Sequence, residues 1–317
     1  MTILITGGAG FIGCHLAQTL LKRGDKVIIV DNFNNYYDPW LKKARIKNLL
    51  KEMDYKLYQV DIADFAALNK IFQANKVDKI FHLAAQAGVR YSLENPFAYH
   101  ETNTGGTLNI FELARDYNVE QVVFASSSSV YGGGAKLPFS ENQNINTPLS
   151  VYAMTKIATE NIGYCYHNLY NIPTTGLRFF TVYGPWGRPD MALFIFTRNI
   201  LKGKPINLHN NGKMKRNFSY IDDIIDGCVK ALDKVFDFEI FNLGADKSED
   251  LERFVDLIEE NLGKKAIKNY ISMQKGEVIE TRADLTKSRQ LLGFEPKFNV
   301  EAGIKKFVDW YRNYYKV

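Results

Sequence analysis

The chain has 317 residues, of which 46% are hydrophobic and 24% are charged, so it is long enough for two domains with buried cores. This composition excludes a fibrous chain, a mostly disordered chain and a small disulfide-stapled protein. The 40 Lys and Arg residues exceed the 35 Asp and Glu residues by a net charge of +5, which is too small to indicate nucleic-acid binding.

The cysteines and the apolar stretches limit the cellular context. Cys14, Cys165 and Cys228 lie far apart and form no CxxC pair, so neither a disulfide framework nor a zinc site is expected. No stretch approaches the roughly 18 apolar residues that a membrane span needs. Met1 runs directly into a strand pattern, which is not typical of a signal peptide. We therefore expect a cytoplasmic protein with no metal, membrane or nucleic-acid partner.

Short apolar strands alternate with helices through the first half of the chain. The predicted strands span residues 2–6, 27–30, 56–60, 79–83, 121–125 and 174–179, and the predicted helices span 11–23, 65–75, 96–117 and 151–170. A further basic helix is capped by Asp38, with Pro39 in its first turn. This alternation is typical of a parallel sheet covered by helices on both faces. It predicts a Rossmann-type, doubly wound α/β domain over residues 1–178.

The alternation is less regular after residue 180. A helix at 192–201, a strand at 206–209, a loop at 210–216 and helices at 251–262 and 301–315 are predicted there. We interpret residues 179–317 as a smaller, substrate-binding α/β domain, with some segments returning to the main sheet.

A glycine-rich turn between the first strand and the first helix predicts a dinucleotide site. Gly8, Gly10 and Gly13 have the GxGxxG spacing, which lets the backbone approach a pyrophosphate at a helix N-terminus. Asp31 ends the next strand, where its carboxylate would accept a hydrogen bond from the adenosine ribose and repel a 2′-phosphate, so NAD is favoured over NADP. The predicted cofactor-binding residues are Gly7, Gly10, Phe11, Ile12, Gly13, Asp31, Asn32, Asp61, Ile62, Leu83, Ala84, Ala85, Tyr152 and Lys156.

Tyr152 and Lys156 are separated by one helical turn and therefore share a helix face. An ammonium close to a phenol stabilises the phenolate and lowers its pKa, which suits a tyrosine that exchanges a proton with a substrate hydroxyl. The serine run at 126–129 ends the fifth predicted strand, where a hydroxyl could bond the reacting oxygen. This constellation predicts acid–base chemistry next to the dinucleotide.

Together these motifs resemble the extended short-chain dehydrogenase/reductase family. The resemblance is carried by TGGAGFIG at 6–13, by the serines followed by Val-Tyr-Gly at 130–132, and by Tyr152-x-x-x-Lys156. It implies tightly held NAD, a nucleotide-sugar substrate, Tyr152 as acid/base, Lys156 as the group that tunes it, and Ser127 or Ser128 as the assisting hydroxyl. It also implies a homodimer that pairs the helices near 96–117 and 151–170.

Longer segments at 82–90, 178–191 and 212–223 resemble the bacterial UDP-glucuronate 4-epimerases. This resemblance implies transient oxidation at C4 of UDP-glucuronate and its return as UDP-galacturonate. It assigns Arg216 to the diphosphate, and Gln274 and Glu277 to the uridine ribose. The 4-keto uronic acid needs its carboxylate held, and Thr181 and Arg188 fit that need; Arg188 could instead reach a phosphate or lie on the surface, and we favour the carboxylate. Arg90 is a further candidate for contact with the substrate, although a place on a helix surface is equally compatible with the sequence.

Other functions remain open at this point. A 4,6-dehydratase of the family carries an Asp-Glu pair where Ser128 and Ser129 stand, and a UDP-glucuronate decarboxylase carries Glu in that region. A UDP-glucose or UDP-N-acetylglucosamine 4-epimerase is opposed mainly by Thr181 and the 183–191 loop. A non-catalytic NAD-sensing module would not require the tyrosine, the lysine and the serines together.

Overall fold

The computed structural model describes residues 1–274 and 276–317. The first half of the chain alternates strands and helices. Their bounds are β1 Thr2–Thr6, α1 Phe11–Lys22, β2 Lys26–Val30, α2 Pro39–Leu49, β3 Tyr55–Tyr58, α3 Phe65–Ala74, β4 Lys79–His82, α4 Tyr91–Glu94, α5 Pro96–Tyr99, α6 Gly106–Asp116, β5 Gln121–Ser127, α7 Val151–Tyr170 and β6 Thr174–Phe179.

The later elements are shorter and form three two-stranded sheets besides the helices. Their bounds are β7 Thr181–Tyr183, α8 Ala192–Leu201, β8 Ile206–Leu208, β9 Lys215–Arg216, β10 Phe218–Tyr220, α9 Ile221–Asp233, β11 Phe238–Leu243, β12 Glu249–Asp250, α10 Leu251–Leu262, β13 Lys268–Tyr270 and α11 Val300–Tyr315. The small sheets pair β7 with β10, β9 with β12, and β8 with β13. Single helical turns of other types occupy Ser128–Tyr131, His209–Gly212 and Ser288–Leu292.

A seven-stranded parallel sheet in the order β11-β6-β5-β4-β1-β2-β3 forms the centre of the fold. The chain fills one side of β1 with β2 and β3 and then crosses to β4 on the other side. In doubly wound folds this reversal of direction leaves a crevice at the carboxyl ends of the strands, where ligands bind. The observed architecture confirms the predicted Rossmann-type, doubly wound sheet.

Strand β11 extends the main sheet although it comes from the second half of the chain. It pairs with β6 over the register Phe238–Thr174 to Leu243–Phe179. A strand that returns in this way agrees with the interpretation of the second half, while the domain boundary after residue 178 stays a prediction.

The structure corrects several of the predicted elements. Helix α9 was missed, although Ile221, Ile224, Ile225 and Cys228 are buried at helical spacing. The predicted loop at 210–216 contains a helical turn and strand β9.

The predicted helix at 96–117 is interrupted by a π-helical segment, His100–Gly105, between α5 and α6. Two consecutive glycines, Gly105 and Gly106, stand at its end, where the backbone is easily redirected. Separately, no helix within residues 1–274 and 276–317 has the length and apolar character to cross a membrane.

Candidate active site

A single cleft gathers most of the residues that the sequence singled out. It opens at the carboxyl ends of β1, β2, β4 and β5, beside the N-terminal turn of α7. The sequence-predicted residues that line it are Gly7, Gly10, Phe11, Ile12, Gly13, Asp31, Asn32, Ile62, Leu83, Ala84, Ala85, Ser127, Tyr152, Lys156 and Arg188. The fold therefore brings the glycine turn, the strand-end carboxylate and the Tyr–Lys pair around one space.

The glycine turn fits a dinucleotide because side chains are excluded from it. A Cβ at Gly13 would lie 2.3 Å from the carbonyl oxygen of Gly7 and 2.8 Å from Cα of Gly8. Gly7 itself has a positive φ of 67° and donates its N–H to the carbonyl of Val30 at 2.7 Å. Helix α1 starts after Gly10 without a side-chain cap, so its first N–H groups are available to an anion such as pyrophosphate.

We expect Gly13→Ala to abolish retention of NAD and to lower the free energy of unfolding by about 1–3 kcal/mol, because the added methyl group overlaps backbone atoms. Absorbance of the purified protein for bound cofactor and denaturant unfolding would measure the two effects. Gly105→Ala is the matched control, since a Cβ there comes no closer than 3.9 Å to the backbone of His100. Retention of NAD by the Gly13 variant would contradict this account of the turn.

Asp31 ends β2 as predicted, and a lysine that the sequence analysis missed lies against it. One carboxylate oxygen accepts from the N–H of Ala9 at 3.1 Å, and the other accepts from the N–H of Phe33 at 2.9 Å. Nζ of Lys42, from α2, lies 3.2 Å from the same carboxylate, and both side chains are buried. The negative charge that should reject a 2′-phosphate is therefore partly balanced by a neighbouring ammonium.

This pair makes cofactor choice testable. We expect Asp31→Asn to weaken NAD binding about tenfold and to allow NADP binding, because the variant keeps Lys42 while losing the charge that repels phosphate. Titration of cofactor-stripped protein with each dinucleotide would measure this change. The double variant Asp31→Asn/Lys42→Met should lose the gain in NADP affinity. An NADP affinity that is equal in the single and double variants would show that Lys42 has no part in the selection.

Asp61 is not among the residues that line the cleft, but it holds Asn32, which does line the cleft. Its carboxylate accepts from the side-chain amide of Asn32 at 2.8 Å and from the N–H of Ala63 at 2.9 Å. Asp61 therefore fixes the orientation of Asn32, while Ile62 faces the cleft.

Helix α7 presents Tyr152 and Lys156 to the cleft from its first two turns. Ser150 caps the helix by accepting from the N–H of Ala153 at 3.1 Å, so the helix begins directly before the reactive side chains. Nζ of Lys156 is buried and donates to the carbonyl of Ala125 at 2.8 Å, which joins the helix to the end of β5.

Burial shifts the pKa values of both Tyr152 and Lys156. Burial raises the pKa of Tyr152, while a hydrogen bond with Ser127 and the positive charge of Arg188 act in the opposite direction without cancelling the rise. Burial also lowers the pKa of Lys156 to about 8, against the raising effect of Glu160. Desolvation is the largest effect on both groups. That Lys156 tunes the phenol of Tyr152 stays a prediction.

Of the two serine candidates, the geometry favours Ser127. Ser127 lines the cleft together with Tyr152, and its hydroxyl accepts from the N–H of Ser129 at 3.1 Å. Ser128 begins the helical turn after β5 and is not among the residues that line the cleft.

A buried ion pair joins helix α7 to strand β6 next to Lys156. The guanidinium of Arg178, on β6, donates to both carboxylate oxygens of Glu160, at 2.9 and 2.8 Å. Glu160 lies one helical turn beyond Lys156 and also accepts from the hydroxyl of Ser126. Arg178 additionally stacks on the ring of Tyr131, with its guanidinium carbon 4.8 Å from the ring centroid.

The predicted substrate residues fall into two groups. Arg188 lines the cleft, and its charge reaches Tyr152. Thr181 starts β7 and is not among the lining residues, whereas its neighbours Phe180 and Val182 are.

The remaining predicted substrate residues lie together outside the cleft lining. Nη2 of Arg90 donates to the carboxylate of Glu277 at 2.8 Å and lies 3.0 Å from Nε2 of His209. The Glu277 carboxylate also exerts a favourable charge effect on Arg216, whose pKa is lowered by burial. The carbonyl of Gln274 accepts from the N–H of Glu277 at 3.4 Å, and its side chain is exposed.

Sequence reasoning missed several residues of the cleft. Lys42 could have been found, since it follows Asp31 on a basic helix whose start was predicted. Tyr36 also lines the cleft, and its hydroxyl donates to Asp190, a residue outside the lining that pairs with Arg188. No motif links Tyr36 to Asp190, and they meet only through the fold. Within the described residues, no group of three or more His, Cys, Asp or Glu side chains could hold a metal ion.

Comparison with known proteins agrees with this geometry. The model of the family described as NAD dependent epimerase/dehydratase matches residues 3–244. A UDP-glucuronate 4-epimerase of Thermodesulfobacterium geofontis is 44% identical over 97% of this chain and 95% of its own length.

Two solved structures are similar over nearly the whole chain. The UDP-glucuronic acid 4-epimerase of Bacillus cereus, in complex with UDP-glucuronic acid and NAD, has a TM-score of 0.93 at 34% identity, covering 99% of this chain and 100% of that one. The UDP-glucose 4-epimerase of Thermotoga maritima with UDP-glucose has a TM-score of 0.91 at 31% identity, with coverage of 99% and 100%. The resemblance inferred from the glycine turn and the Tyr–Lys pair is confirmed, and this chain belongs to the NAD-dependent epimerase/dehydratase family.

Proposed function

We propose that this protein is a UDP-glucuronate 4-epimerase, which interconverts UDP-glucuronate and UDP-galacturonate with tightly bound NAD. The observation that carries the proposal is the presence of Arg188 in the same cleft as Tyr152, Ser127 and the glycine turn. A guanidinium at the edge of a redox site suits a substrate whose sugar carries a carboxylate. The similarity to proteins named for this activity supports the same choice.

The residues of the cleft divide the work of a C4 epimerisation. Ionised Tyr152 takes the proton of the C4 hydroxyl, and Ser127 donates a hydrogen bond to the same oxygen. Lys156 stabilises the tyrosinate by its charge. Its hydrogen bond to the carbonyl of Ala125 holds the ammonium at the end of β5. When bound, NAD would supply reversible hydride acceptance at C4, and Tyr152 gives the proton back to the same oxygen, so the net redox change is zero.

The carboxylate of the sugar imposes an additional requirement. A sugar oxidised at C4 with a carboxylate on C5 is a β-keto acid and loses CO₂ readily. A cation that holds the carboxylate in its charged form opposes this loss, and we assign this task to Arg188, with Thr181 as a neighbouring hydroxyl.

The cluster of Arg216, Glu277 and Arg90 lies outside the cleft lining, and its chemistry suits the nucleotide. Arginine pairs with phosphate through two hydrogen bonds, and a carboxylate such as Glu277 accepts from ribose hydroxyls. We assign Arg216 to the diphosphate, and Glu277 with Gln274 to the uridine ribose, while Arg90 holds Glu277 in place.

Incubation of the purified protein with UDP-glucuronate, without added NAD, tests the function directly. We expect UDP-galacturonate to form, and we expect UDP-glucose to be a much poorer substrate. Turnover of UDP-glucose alone would favour the neutral-sugar epimerase. Failure to turn over either sugar, with NAD still bound, would favour a non-catalytic sensor.

We also propose a homodimer in the cytoplasm. Phe97 on α5 and Tyr164 on α7 are 80% and 55% exposed, as expected of a face that pairs with a second copy, whereas Phe111 and Tyr166 are buried within the chain. Sedimentation at micromolar concentration should give twice the mass of the chain, and a monomer would contradict the assignment. The thiols of Cys14, Cys165 and Cys228 form no disulfide within the described residues, which is compatible with a reducing compartment.

A further inference from the structure

The guanidinium of Arg188 already has an anionic partner inside the protein. The carboxylate of Asp190 accepts from Nε of Arg188 at 3.1 Å and from Nη2 at 2.5 Å. Asp190 therefore takes the side edge of the guanidinium. Among the described residues, Nη1 of Arg188 has no hydrogen-bond partner, so its two N–H groups remain available, and Arg188 is one of the residues that line the cleft.

Asp190 is itself held by a second side chain that lines the cleft. The hydroxyl of Tyr36 donates to Asp190 at 3.1 Å. Tyr36 packs against Tyr91 with ring centroids 5.3 Å apart, and its hydroxyl lies over Gly88, where a Cβ would come within 2.4 Å of it. The Tyr36 side chain thus has little conformational freedom, and its hydroxyl holds the carboxylate of Asp190 in place.

The backbone of the loop that carries both charged residues is also anchored. Arg45, on α2, is fully buried and donates to the carbonyls of Trp186 at 2.8 Å and Gly187 at 3.1 Å. Its third nitrogen donates to the hydroxyl of Tyr37 at 2.7 Å. The loop before Arg188 is therefore tied to the same helix and loop that follow Asp31.

We propose that Asp190, held by Tyr36, is a positioning residue that directs the free edge of Arg188 towards the carboxylate of a uronic-acid substrate. The inference rests on the proposed function and adds a specificity determinant to it. Asp190 uses two of the five donors of the guanidinium and leaves the end edge, which can form a second, two-point pair with a substrate carboxylate. A lysine or an unsupported arginine would offer the same charge without this direction.

An opposite role for Asp190 is also chemically sensible and gives a clear contrast. If Asp190 merely competed with the substrate for Arg188, its removal would improve binding of the uronate. If it positions Arg188, its removal weakens recognition of the uronate and leaves binding of the nucleotide unchanged.

The test compares Asp190→Asn, Asp190→Glu and Tyr36→Phe with the wild-type protein, all with NAD bound. We expect Asp190→Asn to lower kcat/KM for UDP-glucuronate about 10- to 100-fold, the range that the loss of a charge-assisted hydrogen-bond pair produces. Dissociation constants for UDP and UDP-glucose, from calorimetry, should stay within about twofold, because neither ligand carries the carboxylate. Asp190→Glu should recover part of the loss, and Tyr36→Phe should show a smaller loss of the same kind.

Asp309→Asn is the matched control, because it removes the same charge from an exposed ion pair with Lys305 on α11. Unchanged or improved turnover of UDP-glucuronate by Asp190→Asn would overturn the positioning role, as would a parallel loss of UDP affinity. If Asp190→Asn fails to fold, Tyr36→Phe decides by the same two criteria. A wild-type protein that does not turn over UDP-glucuronate would instead overturn the proposed function.

Discussion

Tyr152→Phe should lower kcat for UDP-glucuronate by about 1000-fold, within the range that a positioned acid–base group contributes. The change removes one hydroxyl from a half-buried ring, so the fold and the retention of NAD should be unaffected. The hydroxyl is the only group that differs, and it is the one that Ser127 and the charge of Arg188 act upon. Turnover by product analysis, together with bound-cofactor absorbance, would measure both quantities.

Tyr315→Phe is the control, because Tyr315 lies on α11, away from the cleft lining, with a side chain that is 40% exposed. It should leave kcat within about twofold of the wild type, since exposed substitutions away from a site have small effects. Turnover of the Tyr152 variant at a comparable rate would mean that another group exchanges the C4 proton.

Glu160→Gln should destabilise the protein by about 3–5 kcal/mol, because it leaves the guanidinium of Arg178 buried without its counter-charge. Both side chains of this pair are nearly inaccessible, with 6% and 4% of their surfaces exposed. The pair need not be strongly stabilising as a whole, since both ions were desolvated to form it. The large effect arises from removing one member alone. Denaturant unfolding at neutral pH would measure it.

The same variant should move the activity profile on the alkaline side. Burial lowers the pKa of Lys156 to about 8, and the charge of Glu160 raises it. Without that charge the ammonium is lost at a lower pH, so we expect the decline of kcat with rising pH to begin earlier than in the wild type. A decline at the same pH would show that Lys156 does not govern that side of the profile.

An exposed ion pair provides the control for stability. Asp233 pairs with Arg23 at 2.7 Å, and 46% of the Asp233 side chain is exposed. Asp233→Asn should cost less than about 1 kcal/mol, because water solvates the charges that remain. Equal losses in the Glu160 and Asp233 variants would contradict the role assigned to the buried pair.

The main residues of the candidate site were predictable because their signals are local in sequence. The GxGxxG turn, Asp31 at the end of its strand and the i, i+4 spacing of Tyr152 and Lys156 each depend on a few neighbouring residues, whose geometry a strand–turn–helix unit fixes. Alternation of apolar strands with helices likewise specified the parallel sheet. For strand β11, the sequence predicted only that some segment of the second half would return to the main sheet. The local sequence of residues 238–243 does not indicate which strand they pair with.

Tertiary structure decided the features that depend on distant partners. The balance of pKa effects at Tyr152 follows from burial, which spacing along a helix does not reveal. The pairs Lys42–Asp31, Arg178–Glu160 and Tyr36–Asp190 join elements that only the fold brings together. The sequence by itself therefore determined the class of chemistry, because that needs a few residues at fixed local spacing. The setting of charges around that chemistry was decided by packing, because electrostatic energies depend on distance and solvent access in three dimensions.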